Sequence, residues 1–376
     1  MAVLGGVGAP EKAALPDSLR QPRDGTDIST REQALLTALE TGSEAEAAAA
    51  IRELAALGGD LNHRRLAAIM TDDRWPSALR TEAARALLAS EDPSEAQLAV
   101  RALAVIGGEA NTQSLSAIMR NDSLPTPLRL ESALAMGIIG TPEARETLVD
   151  AFRVFPEPEM HEQILGALGQ FPFAQIEGTW KQILGDPNTP AEVRVAAVDA
   201  LANSSPDALP FLKTMAGSDR DPEVREMSAW AISALAEGND SMGPDLARMA
   251  TAEPEADVRR RLYEALPTQA INPSESLLPL IQSETDSAAR VAGFNALGDA
   301  VKRGASIGFV SRFDTEIVPE LTGIAVSNQS IDVRTRAVFA LRRADTPASR
   351  QALQTLSQTQ NQKIALAARQ GLQTAK

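Results

Sequence analysis

Shifted by 49 residues, the chain falls on itself. Leu66, Ala68, Ile69 and Met70, followed by Pro76, Leu79, Arg80, Ala84 and Ala86, land on Leu115, Ala117, Ile118, Met119, Pro125, Leu128, Arg129, Ala133 and Ala135. A shift of 114 brings Trp180, Ile183, Leu184, Pro190, Val193 and Arg194 into the same frame without gaps. Further copies of the second half centre on Arg225, Arg259, Arg290 and Arg334, so the last four intervals between the seven arginines are 31, 34, 31 and 44 residues. Self-similarity at such periods is the mark of an array in which each unit buries its apolar face against its neighbours.

Each unit reads as two helices. The first is short, as in Leu209–Met215 or Leu246–Ala250, and a turn rich in Asp, Pro and Ser follows, with residue types that start and cap helices. The second carries apolar residues at helical spacing, as in Val193–Leu201. About ten such pairs fit between residues 31 and 374, with one odd helix near 95–107 that breaks the alternation. Residues 1–30, with Pro10, Pro16 and Pro22 and no periodicity, read as a flexible leader.

Comparing columns separates interior from surface. Three residues after each arginine stand Ala83, Ser132, Ala197, Ser228, Leu262, Gly293 and Ala337, and seven after it stand Leu87, Met136, Leu201, Ile232, Leu266, Leu297 and Leu341. Six after it, Ala86, Ala135, Ala200, Ala231, Ala265, Ala296 and Ala340 never vary. Those columns are expected inside, with the alanine where helices approach most closely. Five after it the column is mixed: Arg85, Leu134, Asp199, Trp230, Glu264, Asn295 and Phe339.

Asp221-Pro-Glu-Val-Arg225, Ala191-Glu-Val-Arg194 and Ile331-Asp-Val-Arg334, each leading into an Ala-rich helix, resemble HEAT repeats, specifically the short phycobilisome-lyase-like kind. The resemblance covers nearly everything after residue 30 and implies an all-α, right-handed α-solenoid, a HEAT-like superhelix. For function it is broad, because the family includes lyases, scaffolds, adaptors and a few enzymes. Two stretches of the 31–376 array depart from the pattern. Segment 142–178 is irregular, and 302–314 is an insertion between pairs, too long for a plain turn.

In HEAT-like solenoids the second helices line the concave surface, so the mixed column should face the groove, together with the position one residue after each arginine. Leu130, Leu134, Trp230, Arg260 and Phe339 on this stripe are the candidate partner-binding residues. Local packing against the next helix is the competing reading. In the insertion, Arg303, Phe309, Arg312 and Phe313 form a second candidate contact. Phe152, Phe155, Phe171, Phe173 and Trp180 place five of the thirteen aromatics within 29 residues, where they are expected to fill the gap of an irregular unit.

Chemistry finds little material. The chain has no Cys and only two His, which excludes disulfides, thiolate metal sites and thiol catalysis. HEAT-repeat deoxyhypusine hydroxylases hold a di-iron centre with several His-Glu pairs, whereas His161-Glu162 is one pair and His63 has no acid nearby in sequence. Both histidines are expected to be solvated. Asp219, Asp221 and Glu223 have a spacing that could ligate calcium, but acids at a helix start favour the helix dipole instead. The repeated arginines are expected to bond neighbouring turns, with Asp221, Asp257 and Asp332 beside them. No cofactor is implied.

Charge narrows the partners. HEAT-like DNA glycosylases pair a basic groove with aromatic residues, and Trp75, Trp180 and Trp230 are present here. A net charge of −14 opposes the phosphate contacts such binding needs, so no nucleic-acid partner is expected. Residues 301–376 hold eleven Lys and Arg against five Asp and Glu, and residues 1–300 hold 25 against 45. That polarity fits an acidic partner at the C-terminal end, or head-to-tail self-association. No apolar stretch is long enough for a transmembrane helix, and Met1–Gly8 lacks the basic flank of a signal peptide, so the compartment stays open. The sequence supports a non-enzymatic scaffold or adaptor that holds a protein or peptide in the concave groove. The alternative is a bilin-lyase-like, chromophore-handling protein.

Overall fold

The computed structural model describes residues 13–20, 29–235, 242–266 and 277–373. Among these every regular element is helical and no strand occurs, and the chain divides into two compact units at Phe171 and Pro172. It is an all-α solenoid.

The first unit holds α1 (Asp17–Arg20), α2 (Thr30–Thr41), α3 (Glu44–Leu57), α4 (Asp60–Thr71), α5 (Ser77–Leu87), α6 (Pro93–Ile106), α7 (Glu109–Arg120), α8 (Thr126–Ile139), α9 (Pro142–Val154) and α10 (Pro158–Leu168). Helices α3, α5, α6, α8 and α10 pack in succession as one row, with α4, α7 and α9 against α5, α8 and α10. The second unit holds α11 (Phe173–Gly185), α12 (Ala191–Ala202), α13 (Leu209–Ser218), α14 (Pro222–Leu235), α15 (Gly243–Ala252), α16 (Ala256–Ala265), α17 (Leu277–Ser283), α18 (Ser287–Lys302), α19 (Ile307–Arg312), α20 (Val318–Val326), α21 (Ile331–Ala344), α22 (Pro347–Leu356) and α23 (Gln362–Gln373). Here α12, α14, α16, α18, α21 and α23 form the continuous row, and α11, α13, α15, α17, α20 and α22 back them. Four pairs in the first unit and six in the second, with α6 left over, match the expected count among the described residues.

The columns settle where the sequence places them. All seven residues three after the arginine are buried, as are all seven that follow it by seven. In the alanine column six are buried and Ala86 is half-buried.

The odd helix has an origin. Helix α6 lies 49 residues after α3, so α3–α5 and α6–α8 are successive copies of a three-helix unit rather than pairs with an intruder. Their contacts repeat as well. Arg52 pairs with Glu82 at 2.7 Å, and Arg101 with Glu131 at 2.6 Å. Asn62 Nδ2 donates to the Gly58 carbonyl at 2.9 Å, and Asn111 Nδ2 to that of Gly107 at 2.8 Å. Each corner needs two consecutive positive φ angles, +63° and +83° at Gly58-Gly59 and +72° and +90° at Gly107-Gly108. Only glycine adopts that pair without strain.

Three expectations from the sequence change here. Segment 142–178 is irregular in sequence only: α9 and α10 form an ordinary pair, and α11 opens the next. Its Phe171 and Phe173, and Trp180 just beyond it, are buried. The insertion 302–314 is helical, because α19 runs through a π-helical turn at Phe313–Ile317 directly into α20. The leader is not uniformly loose. Leu15 is buried, and the fully buried Arg65 guanidinium donates to the carbonyls of Leu19 and Arg20 while pairing with Glu32 at 2.9 Å. The rest of the leader, at residues 1–12 and 21–28, lies outside the described residues.

Candidate partner-binding groove

The turn before each of the seven column arginines is built the same way. The residue ending the first helix accepts, through its side chain, the backbone N–H two positions on. This holds for Asp72, Asn121, Asp186, Asp219, Glu253, Glu284 and Ser327, at 2.8–3.3 Å. In the second unit the arginine column adds a relay. Arg225 donates to the Asp219 carbonyl and clamps Glu253 with two 2.8 Å bonds. Arg259 donates to the Glu253 carbonyl and clamps Glu284, and Arg290 donates to the Glu284 carbonyl and pairs with Glu320. Arg225 and Arg259 thus each join their own turn to the next one, and Arg290 joins its turn to the first turn of α20. The bonds from Glu253 hold Arg225 above its ordinary pKa, and those from Glu284 do the same for Arg259. Burial pushes Glu284 up, and hydrogen bonds from Arg259 and from backbone N–H groups overcome it, leaving the carboxyl below its usual range. Buried charge of this kind persists only when fully paired.

The sequence located these arginines but not their partners. The acids beside them, Asp221, Asp257 and Asp332, do not take part, whereas Asp219, Glu253 and Glu284 do. The signal was an acid six residues before Arg225, Arg259 and Arg290. Asp219 is also held by Arg194 at 3.1 Å, and Asp221 accepts the Glu223 N–H, so the suspected calcium acids are committed to turns. Among the described residues no group of three His, Asp or Glu is placed to hold a metal ion. His63 is not a free solvated residue: its Nδ1 lies 2.8 Å from Glu95, an acid distant in sequence on α6. His161 Nε2 lies 3.1 Å from the Phe152 carbonyl, with its ring 4.6 Å from that of Phe152.

The groove itself is defined by one contact. Glu264 on α16 pairs with Arg336 on α21, although α18 lies between those helices in the row. Helices two places apart meet only on the inside of a bend, so this face of the second unit is concave. Beneath that arch, α18 contributes the small surface of Val291, Ala292 and Asn295. A hollow of about 180 Å³ lies there, lined also by Glu264, Arg336, Phe339, Arg342 and Arg343.

The candidate residues fare differently. Trp230 is 38% exposed and Phe339 41% exposed, both on the concave face, and the Arg342 guanidinium sits over the Phe339 ring at 5.2 Å. Arg260 lies on the same stripe but is tied to Glu226, Asp257 and Glu264 at 3.1–3.4 Å. In the first unit Leu130 and Leu134 are half-buried, and Leu134 reaches Gly166 of α10. Arg85, in the same column, donates to Ala110 and Ser114 of α7. In the former insertion, Phe309 and Phe313 are core residues and present nothing to a partner, because helix formation turns both inward. Arg303 and Arg312 remain exposed, bonded to Asp299 and Glu316 at 2.7 Å and 3.0 Å. A larger hollow of about 540 Å³ opens between α13 and α15, but its charges, Lys213, Arg248, Arg225 and Glu253, are all paired. No helix among the described residues is long and apolar enough to cross a membrane.

A family model of HEAT repeats matches residues 176–267. No curated protein matches the sequence. Among solved structures, the karyopherin Kap121p bound to the extreme C-terminus of the protein phosphatase Cdc14p superposes with a TM-score of 0.54 at 14% identity, covering 94% of this chain and 46% of that one. Kap121p bound to Ste12p gives a TM-score of 0.52 at 14% identity, over 94% and 45%. This chain therefore spans a little under half of the karyopherin's length. The CpcE–CpcF complex of phycocyanin lyase from Nostoc sp. PCC7120 has a TM-score of 0.30 at 19% identity over 68% and 93%, which lends the lyase alternative nothing. The matched segment lies within the same run of repeated helix pairs and carries the same arginine column: residues 176–267 are HEAT repeats, set in an all-α solenoid.

Proposed function

We propose that this chain is a non-enzymatic scaffold that holds a protein or peptide partner against the concave face of its second unit. One observation carries the reading. Every column of that row which touches the interior is filled with Ala, Leu and their kin, and the column left exposed bears Trp230 and Phe339 where its other members are Asp199, Glu264 and Asn295. Because Asp199 stands exposed in the same column, folding gains little from an aromatic there, whereas Trp and other large anchors concentrate binding energy at interfaces. Kap121p, which shares the fold, has been solved with the tail of another protein bound, and that agrees with the reading. The acidic whole, at −14, disfavours a polyphosphate partner.

The test compares wild type with Trp230→Ala and Phe339→Ala in affinity capture followed by direct titration of the captured protein. A partner held at fixed stoichiometry by wild type should bind each variant about 2 kcal/mol or more weakly, with the melting temperature nearly unchanged. If stability instead falls by about 3–5 kcal/mol while affinity per folded molecule holds, Trp230 is core and the reading fails.

A further inference from the structure

Resting on that reading, we infer that the hollow beneath Phe339 receives the carboxylate side chain of an acidic peptide segment. Three guanidiniums line it, and they are not equivalent. Arg336 is neutralised by Glu264 and by Asp332 at 2.8 Å, and Arg343 pairs with Asp299 at 3.1 Å. Arg342 has no carboxylate partner among the described residues. Among the described residues its one polar or ring contact is the face of Phe339, and its stem lies over Gly371 of α23, where a Cβ would come within 3.5 Å of it. A guanidinium stacked on an aromatic ring is held flat with its N–H fork directed outward, the geometry that a carboxylate accepts in bidentate fashion.

The remaining walls select the rest of the side chain. The exposed Phe339 ring gives an apolar wall for methylene groups, the small Ala292 leaves room beneath it, and Asn295 offers an amide at the rim. About 180 Å³ is room for one side chain, not for a folded element. Charge points the same way. The 301–376 segment carries six more basic than acidic residues in a chain whose net charge is −14, and this pocket is the concave-face feature in which one of those cations is left uncompensated among the described residues.

The test uses a short fluorescein-labelled peptide of alternating glutamate and leucine, its glutamine counterpart, and a fluorescein-labelled oligonucleotide of equal charge, each titrated by anisotropy against the full chain. The glutamate peptide should bind, weaken with added salt, and lose about tenfold or more in affinity with Arg342→Gln. Arg350→Gln, an equal charge change on the backing helix α22, should leave it within about twofold. Both arginines are exposed, so neither variant threatens folding, and circular dichroism checks this. Equal binding of the two peptides, equal loss in both variants, or an oligonucleotide that binds as tightly would overturn the inference. So would sedimentation showing that wild type alone self-associates through Arg342, since the occupant would then be a second copy. If the peptide arm fails while capture through Trp230 persists, the scaffold reading stands and only the pocket's ligand is wrong.

Discussion

The buried relay makes a quantitative demand, clearest at Arg259. Its Nε and Nη2 donate to the two Glu284 oxygens at 2.5 and 2.9 Å, while Nη1 donates to the carbonyls of Glu253 and Pro254 at 3.0 and 2.6 Å. The Glu284 side chain is 3% exposed. Arg259→Met keeps most of the packing volume but leaves that carboxylate with only the backbone N–H groups of Asp286 and Thr285 beside it. Stranding a buried charge in this way should cost about 3–5 kcal/mol. Adding Glu284→Leu removes the stranded charge, so the double variant should recover most of the loss. It should fall short of wild type by about 1 kcal/mol, because the Asp286 N–H loses its acceptor.

The same linkage fixes a pH dependence. In wild type the Glu284 carboxyl titrates below its ordinary value, so its stabilisation is present above the unfolded value and disappears as pH falls through the folded one. Without Arg259, burial is opposed only by the backbone N–H groups of Asp286 and Thr285 and raises the carboxyl, so acid relieves the strain. The gap between wild type and Arg259→Met should therefore be widest near neutrality and narrow toward pH 4. Since repeat arrays couple mainly to their neighbours, amide exchange should quicken first in α15 to α18. A double-mutant cycle in urea, with exchange as the local readout, decides the matter. If Arg259→Met is as mild as Arg350→Met on the surface, or the double variant loses the sum of the two singles, the relay is not a coupled buried network.

Two further outcomes follow from other interior groups. Ala231→Leu places bulk at a fully buried helix contact and should cost about 1–3 kcal/mol by thermal melting, while Asn295→Leu in the neighbouring open column should change stability little. Burial pushes the Tyr263 phenol up to about 12 from an ordinary 10.0, and its hydroxyl has no hydrogen-bond partner among the described residues. Its contribution is therefore intact below pH 10 and lost as pH rises through about 12. Tyr263→Phe should match or exceed wild type by about 1 kcal/mol at pH 7 and shed part of the alkaline loss seen in a pH-resolved melting series.

The sequence revealed the architecture because stacking imposes the same demand at the same position in every unit: an alanine column must exist wherever equivalent helices touch. It showed less where one structural role is filled by different residue types. The turn-closing position holds Asp72, Asn121, Glu284 and Ser327, alike only in offering an oxygen to an N–H two residues on, so no single letter marks it. The former insertion stood out only as a stretch between pairs too long for a plain turn, yet Phe309, Phe313 and Ile317, four apart and all buried, already had helical spacing. Leu15 shows the opposite limit. One apolar residue among prolines carries no period, and its burial depends on Arg65, which bonds the chain around it from 46 positions away in the case of Leu19.

The geometry also separates what folds the array from what it can recognise. The relay of arginines and acids lies at the turns, the alanine and leucine columns lie inside, and the fifth position after each arginine belongs to neither. In the second unit that position holds Asp199, Trp230, Glu264, Asn295 and Phe339 without disturbing the alanine that follows it in each helix. Asp199, Trp230 and Phe339 can therefore change at small cost to stability, because hydration, not packing, is the alternative these exposed side chains face. Glu264 is the exception, tied to Arg260, Arg261 and Arg336. Where Glu264 and Arg336 close over α18, the hollow of about 180 Å³ has room for one side chain and not for a helix roughly 10 Å across.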